Sequence, residues 1–170
     1  MSKFLSYVVS SALVLMLLVS AKPIYGANEP PAAGPGLPQP SSVLQPGEVV
    51  KIVIEALAIN DQPFPDAGIE TTFNFASPTN KAHTGPLDQF VKLVKGPAFG
   101  QMVNHRDSTL SKVVLEGNKA VCLVQIIGET NETLYFAFRL GLQQEGDFAG
   151  MWLTEAVWPL DAPRGEVYAL

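Results

Sequence analysis

The chain has 170 residues, a formal net charge of −5 and a single cysteine. This length predicts one folded domain that can bury a hydrophobic core, and the lone cysteine excludes a disulfide framework, a four-thiolate zinc site and a Cys-x-x-Cys redox pair. Because 16 acidic residues outnumber 11 basic ones, no nucleic-acid partner is expected.

The N-terminus, residues 1–26, has the layout of a secretory signal peptide. It begins with the positive charge of Lys3, continues with an almost wholly apolar stretch over residues 8–19 and ends in small residues. We expect cleavage after Ala21 or Gly26, and therefore export to a periplasm, a thylakoid lumen or the extracellular space. An uncleaved membrane anchor is the alternative, because the apolar stretch with its flanks just reaches the length that spans a bilayer.

A linker is predicted over residues 27–47, which hold six of the 14 prolines and several glycines and serines. Proline lacks an amide donor and fixes φ, so this stretch is expected to be semi-extended and solvated. We expect the folded domain over residues 48–160 and a short C-terminal tail over residues 161–170.

Three helices are predicted at the start of the domain. Apolar side chains recur with a helical period over residues 48–60. A short second helix is expected to begin with Asp66 as its cap and to end before Pro78. The third helix runs over residues 84–96, with Thr84 as its N-cap.

From about residue 100 the apolar period changes to two, which indicates β-strands. A first strand is expected near residues 101–106, and Pro159 is expected to end the sheet. The other predicted strands cover residues 110–116, 119–128, 133–143 and 148–158. Short turns at Gly117-Asn118 and Glu145-Gly146 make this sheet an antiparallel meander. Three helices covering one face of a curved antiparallel sheet form an α+β fold.

Several short motifs carry a resemblance to a known superfamily. They are the segment Glu48–Leu57, Asn60-Asp61, Pro65–Ile69, Phe75–Pro78, Thr84–Leu87, Asn104-His105 and Gly150–Thr154. Together they resemble a family of uncharacterised domains, seen in bacteria and plants, within the nuclear-transport-factor-two-like or SnoaL-like superfamily. The resemblance covers residues 48–160 and implies a cone-like, cystatin- or SnoaL-like fold with a pocket between sheet and helices. Such pockets serve proton-transfer enzymes, ligand binding and dimerisation, so the fold alone does not select a function.

The hairpin turns also predict which side chains face this pocket. With tight turns at both hairpins, Phe136 faces Gln125 on one neighbouring strand and Glu155 on the other. A carboxylate on an apolar sheet face is unfavourable unless it is paired, hydrogen-bonded or protonated. Glu155 is therefore a candidate for proton transfer or ligand binding, and Gln125 is a candidate hydrogen-bonding partner. The alternative is that Glu155 reaches water at the strand end or accepts a hydrogen bond from Gln125.

His105 is the second candidate, and it follows Asn104 after the third predicted helix. Histidine exchanges protons near neutral pH, so His105 suits acid–base work or hydrogen bonding to a ligand. The alternative is a half-buried histidine bonded to a backbone carbonyl or to Asp107. His83 lies in a predicted polar loop over residues 80–84 and is expected to be solvated.

The outer side of the sheet is predicted to be apolar and aromatic, which indicates a homodimer surface; coverage by the C-terminal tail is the alternative. Arg139 is expected to face Trp152 there, close to Trp158 and Tyr135. Cys122 is expected on the same side as an inert buried thiol. The membrane is expected as a partner only through an uncleaved signal segment.

The leading hypothesis is an exported, non-enzymatic domain that binds a small apolar ligand or a partner protein. The predicted ligand-binding residues are Asn104, His105, Gln125, Phe136 and Glu155. No cofactor or metal is predicted, since a pair of carboxylates such as Asp61 and Asp66 is a weak metal site. One alternative is an isomerase or dehydratase in which Glu155 or His105 moves a proton and Gln125 or Asn104 holds the oxyanion. Another is an assembly or scaffold factor of an envelope or photosynthetic-membrane complex.

Overall fold

The computed structural model describes residues 36–162, so the predicted signal segment, most of the linker and the tail beyond residue 162 lie outside the described residues. The described part is an α+β fold with four helices followed by a five-stranded antiparallel sheet. The helices are α1 (Pro46–Ala58), α2 (Ala67–Asn74), α3 (Pro78–Thr84) and α4 (Leu87–Val94). The strands are β1 (Asp107–Leu110), β2 (Val114–Glu116), β3 (Lys119–Ile127), β4 (Thr133–Leu142) and β5 (Trp152–Leu160). Within residues 36–162, no helix combines the length and apolar character needed to cross a membrane.

The first predicted helix is confirmed as α1, which begins at Pro46, two residues before its predicted start. Proline is tolerated there because the first helical position needs no amide donor. The backbone amide of Gln45 donates to the Glu48 carboxylate at 2.7 Å, so this amide at the N-terminus of α1 has a hydrogen-bond partner. One face of α1 is buried in the core, through Val49, Val50, Val53, Ile54 and Leu57.

The structure has one helix more than the three predicted, because residues 80–84 belong to α3 rather than to a loop. Ser77 caps α3, since its hydroxyl accepts from the amide of Asn80 at 3.1 Å, and Pro78 occupies the first turn. The Ser-Pro pair that predicted the end of one helix therefore starts the next. Thr84 does not cap α4 as predicted; its hydroxyl donates to the carbonyl of Asn80 inside α3.

Asp66 occupies the N-cap position of α2, as predicted, but its side chain does not cap the helix. It has a left-handed backbone with φ 64°, and its side chain accepts no hydrogen bond from the helix. The Asp66 carboxylate instead lies 2.7 Å from Nζ of Lys95, just beyond α4, and 2.9 Å from Nδ2 of Asn60. The hydrogen bond from Lys95, followed by the bond from Asn60, holds the pKa of Asp66 below its ordinary value.

We expect part of the stability of this protein to be lost in acid through Asp66. Because the folded-state pKa is lowered, the stabilisation is complete above the unfolded pKa of about 3.9 and is lost as pH falls through the folded pKa. Asp66→Asn should remove less than about 1 kcal/mol at pH 7, since solvent screens this partly exposed pair. Urea unfolding of wild type and variant between pH 7 and pH 2 should show the difference shrinking below about pH 4. In a Lys95→Met background the difference should be smaller, because only the bond from Asn60 remains, and a difference that persists unchanged in acid would contradict the assignment.

The sheet has the strand order β1-β3-β4-β5. The short strand β2 pairs with the other half of β3, on the same edge as β1. The strand predicted over residues 101–106 is wrong, because Gly100–Met102 is a 3₁₀ helix and β1 begins at Asp107. The next predicted strand is divided into β1 and β2. At the division the amide of Leu123 donates to the hydroxyl of Ser111 at 2.9 Å. The predicted strands at β3 and β4 are confirmed, as is the two-residue turn before β3.

The pairing of β3 with β4 differs from the prediction by one residue. Phe136 pairs with Val124 rather than with Gln125. The reason is the hairpin loop, which uses five residues and is closed by the amide of Gly128 donating to the carbonyl of Glu132 at 2.9 Å. A shift of one residue reverses the two faces of a strand. The residues of β3 that share the buried inner face with Phe136 are therefore Ala120, Cys122, Val124 and Ile126.

The last strand begins at Trp152 and not near residue 148, because residues 143–151, with the 3₁₀ helix Gly146–Phe148, replace the predicted two-residue turn Glu145-Gly146. Phe136 pairs with Pro159 instead of Glu155, so the proline lies within the sheet rather than ending it. Proline is acceptable there because β5 is an edge strand. A bulge occurs opposite Arg139 and Leu140, which pair with Ala156 and Thr154, so Glu155 is the extra residue.

The main core lies between the inner face of the sheet and the helices. Buried side chains of α1, α4 and the sheet form one hydrophobic cluster with Phe75 and Met102. Trp152 also packs against this cluster and pairs with Leu142, although it was predicted on the outer face. The core thus holds the helices at a distance from β4 and β5, and a cavity remains between them.

Candidate functional site

A cavity of about 500 Å³ lies between the helices and the sheet. Its walls come from all four helices, the 3₁₀ helix Gly100–Met102, β4 and β5. The volume lies within the roughly 300–1,000 Å³ typical of small-molecule sites, and such sites are mainly apolar. The largest apolar side chains in the wall belong to Leu57, Phe90, Leu93, Phe99, Met102 and Phe138.

Helix α3 supplies a polar side of the cavity, through Thr79, Asn80, His83 and Thr84. Nδ1 of His83 lies 2.6 Å from the carbonyl oxygen of Thr79 and therefore carries the proton, because a carbonyl only accepts. In the neutral ring, Nε2 is then an acceptor. His83 is exposed as predicted, yet its place on a helix beside a cavity was missed. The i, i+1, i+4, i+5 spacing of the four residues is the signal that could have found this face.

Thr154 on β5 is the buried polar residue of the cavity wall. Its side chain lies on the inner face opposite Leu140, the residue is 4% exposed, and its hydroxyl has no hydrogen-bond partner within residues 36–162. Its backbone groups are satisfied, because the amide donates to Phe75 and the carbonyl accepts from Ser77 and the side chain of Asn80. Leaving a buried hydroxyl unpaired costs about 1–3 kcal/mol, so a bound polar atom would stabilise this site.

Glu155 also lines the cavity, but its carboxylate does not project from the inner face as predicted. It lies over Gly141 on the outer face, bonded to Nζ of Lys119 and 3.6 Å from Nε of Arg139. The missing side chain of Gly141 makes this room, since a Cβ there would lie 2.7 Å from the carboxyl carbon of Glu155. Glu155 is thus a paired carboxylate at a bulge, where the charge is compensated by two cations.

Gln125 and Phe136 lie apart from the cavity. Gln125 is half-buried on the outer face, between its strand partners Thr109 and Tyr135. Phe136 is a core residue, with its ring centroid 6.3 Å from that of Phe99. Neither belongs to the wall that the described residues form around the cavity. The predicted inward pairing of Gln125 with Glu155 across Phe136 is therefore wrong.

Asn104 holds the end of α1, and neither Asn104 nor His105 lines the cavity that the described residues enclose. Asn104 has φ 54°, accepts from the amide of Asn60 at 3.1 Å and donates its own amide to the carbonyl of Leu57. His105 is 5% exposed, and its Nδ1 lies 2.8 Å from the carbonyl of Met102, which is the predicted alternative to a catalytic role. The arrangement expected for proton transfer, with these residues beside Glu155 and Gln125, is not formed.

The outer face of the sheet exposes apolar side chains, of which Val114 is 67% and Leu123 is 47% exposed. The guanidinium of Arg139 lies over the ring of Trp158 at 6.0 Å, rather than over Trp152 as predicted. Cys122 is not on this face but buried in the core, and burial raises the pKa of its thiol. The homodimer through this face stays a prediction.

The carboxylates of Asp61 and Asp66 serve the turn between α1 and α2, where Asp61 accepts from the side chain of Asn60 and from the amide of Asp66. Among the residues that the structure describes, no three His, Cys, Asp or Glu side chains are grouped so that they could hold a metal ion. Comparisons of the chain with protein-family models, with curated proteins and with solved structures found no match.

Proposed function

We propose that this protein is an exported domain of the SnoaL-like, cone-fold type that binds a small, mainly apolar molecule in the cavity between its helices and its sheet. The observation that carries the proposal is the apolar cavity of about 500 Å³ with the unpartnered Thr154 hydroxyl in its wall. The layout of residues 1–26 supports export, and the motifs over residues 48–160 support the cone fold.

The lining favours an apolar ligand body. A ligand that buries roughly 300 Å² of apolar surface gains about 7.5 kcal/mol from removal of that surface from water. Part of this gain is offset by the loss of translational and rotational freedom on binding. Because about 7.5 kcal/mol alone corresponds to roughly 3 μM, we expect weaker dissociation constants, from about 10 μM to about 1 mM, for simple apolar probes.

The cavity is expected to open beside α3. This helix has no buried residue, and Thr79 and His83 of the cavity wall are exposed. It is followed by Gly85, whose φ of 80° allows the sharp turn into Pro86 and α4. A ligand can therefore reach the cavity along α3 without crossing the core.

The test is titration of the purified full chain with N-phenyl-1-naphthylamine, a neutral dye that fluoresces in apolar sites. We expect saturable binding, and we expect Thr79→Phe, which places a ring at the cavity opening, to weaken it at least tenfold. Ala82→Phe is the matched control, because Ala82 is exposed on the same helix and is not part of the cavity wall formed by residues 36–162; it should leave the affinity unchanged. Absence of saturable binding, or equal effects of both substitutions, would count against the proposal.

A further inference from the structure

We infer that the buried end of the ligand is uncharged and carries a hydrogen-bonding oxygen, as in a long-chain alcohol or ketone, and that Thr154 is the residue that binds it. This inference rests on the proposed function and adds the chemical class of the ligand. It is carried by the unpaired hydroxyl of Thr154 on the inner face of the sheet and by the charged side chains near the cavity, which pair with one another on the outer face.

The Thr154 hydroxyl can both donate and accept, so it matches a ligand hydroxyl or carbonyl equally well. Its other polar atoms are occupied, because its carbonyl accepts from the amide of Ser77 at 2.9 Å and from Nδ2 of Asn80 at 3.2 Å. These bonds hold the strand against the start of α3 and fix the position of the hydroxyl. The wall next to it is apolar, with Phe138 and Val157 of the paired strands.

The charged residues of the wall do not favour an anionic head group. Arg139 is the one Lys or Arg in the wall that the described residues form, and its guanidinium lies 3.6 Å from the carboxylate of Glu155. That carboxylate also binds Lys119, so the cluster carries a net positive charge, but it lies on the outer face of the sheet, whereas the Thr154 side chain lies on the inner face. A ligand carboxylate at Thr154 would be buried with no Lys or Arg beside it on the inner face that residues 36–162 form, which is unfavourable. A neutral oxygen avoids this cost and satisfies the threonine hydroxyl.

The experiment compares 1-decanol with decanoate at pH 7.5, each as a competitor of N-phenyl-1-naphthylamine on the full chain. The two molecules share a chain length and differ in the charge of the head group. We expect 1-decanol to bind at least tenfold more tightly than decanoate. Decanoate binding as tightly as the alcohol would overturn the inference while leaving the proposed function intact. Failure of the dye itself to bind would overturn both.

Variants of Thr154 separate hydrogen bonding from shape. Thr154→Val keeps the shape and should weaken 1-decanol binding about fivefold, the effect of one lost hydrogen bond. Thr154→Ser should retain most of the alcohol affinity. Thr71→Val is the control, since Thr71 is buried in α2, lies outside the cavity wall that residues 36–162 form, and already donates to the carbonyl of Ala67 at 2.9 Å.

Unliganded stability gives an independent readout of the same hydroxyl. Thr154→Val should unfold at a temperature equal to or above that of wild type, because it removes an unpaired buried polar group. Thr71→Val should unfold at a lower temperature, because it removes a formed hydrogen bond. A Thr154→Val variant that is less stable than wild type, or that binds 1-decanol with unchanged affinity, would contradict the role assigned to Thr154.

Discussion

Gly68→Ala is expected to lower the free energy of unfolding by about 3 kcal/mol, near the upper end of what overpacking of a tight site produces. Gly68 lies in the first turn of α2, where this helix meets the end of α1. A Cβ at this position would lie 2.8 Å from the carbonyl carbon of Ala56 and 2.9 Å from Cα of Asn60. These are backbone atoms that cannot rotate away, so the two helices would have to separate.

The separation would also disturb the cavity, because Val53 and Leu57 of α1 and Thr72 of α2 lie in its wall. Urea unfolding followed by circular dichroism measures the stability change, and N-phenyl-1-naphthylamine titration measures the effect on the cavity. Gly47→Ala is the matched control in the first turn of α1. Its Cβ would meet only Cγ2 of Val113, at 3.2 Å, and alanine favours the helix, so the change should stay within about 0.5 kcal/mol. A wild-type unfolding midpoint for Gly68→Ala would contradict the predicted clash.

Asn60→Ala is expected to lower the free energy of unfolding by about 3 kcal/mol, because it leaves buried polar groups without partners. Asn60 is 1% exposed, and its Oδ1 accepts from the amide of Ile69 at 3.1 Å. Its Nδ2 donates to the carboxylates of Asp61 and Asp66, both at 2.9 Å. The substitution would leave the buried amide of Ile69 unpaired and would remove one donor from each of the two carboxylates.

The same unfolding measurement tests this prediction. Asn118→Ala, in the exposed two-residue turn before β3, is the control and should change stability by less than about 0.5 kcal/mol. Asn60→Asp keeps the acceptor for Ile69 but places a third carboxylate beside Asp61 and Asp66. It should therefore be at least as destabilising at pH 7. Equal stability of Asn60→Ala and Asn118→Ala would contradict the role assigned to Asn60 in stabilising the turn between α1 and α2.

The fold class and the longest elements were predictable because they depend on local patterns. Strict alternation over residues 133–143 predicted β4 and the turn at Gly117-Asn118 placed β3, both within one residue at each end, and the helical period predicted α1. Helix α3 was missed because Ser77-Pro78 is equally suited to ending a helix and to starting one. Which of these occurs depends on the contact of this segment with β5, where the amide of Ser77 donates to the carbonyl of Thr154.

The candidate site was less predictable because it depended on strand register. The predicted placement of Gln125 and Glu155 assumed tight turns, but the loop before β4 has five residues and β5 contains a bulge. Each change of one residue reverses a strand's faces, so both polar side chains moved to the outer face. The sequence did not point to Thr154 as a binding residue, since threonine is a common residue in alternating β-strands.

The sequence alone determined that helices precede strands, that the chain is acidic and that β4 has an apolar face, since these follow from residue type and period along the chain. Tertiary structure decided which partners those elements have. The five-residue loop, the bulge at Glu155 and the packing of α3 against β5 depend on contacts between residues distant in sequence. The same contacts leave the Thr154 hydroxyl buried beside an apolar cavity, because burial and the lack of a hydrogen-bond partner among residues 36–162 arise only once the helices and the sheet have packed together.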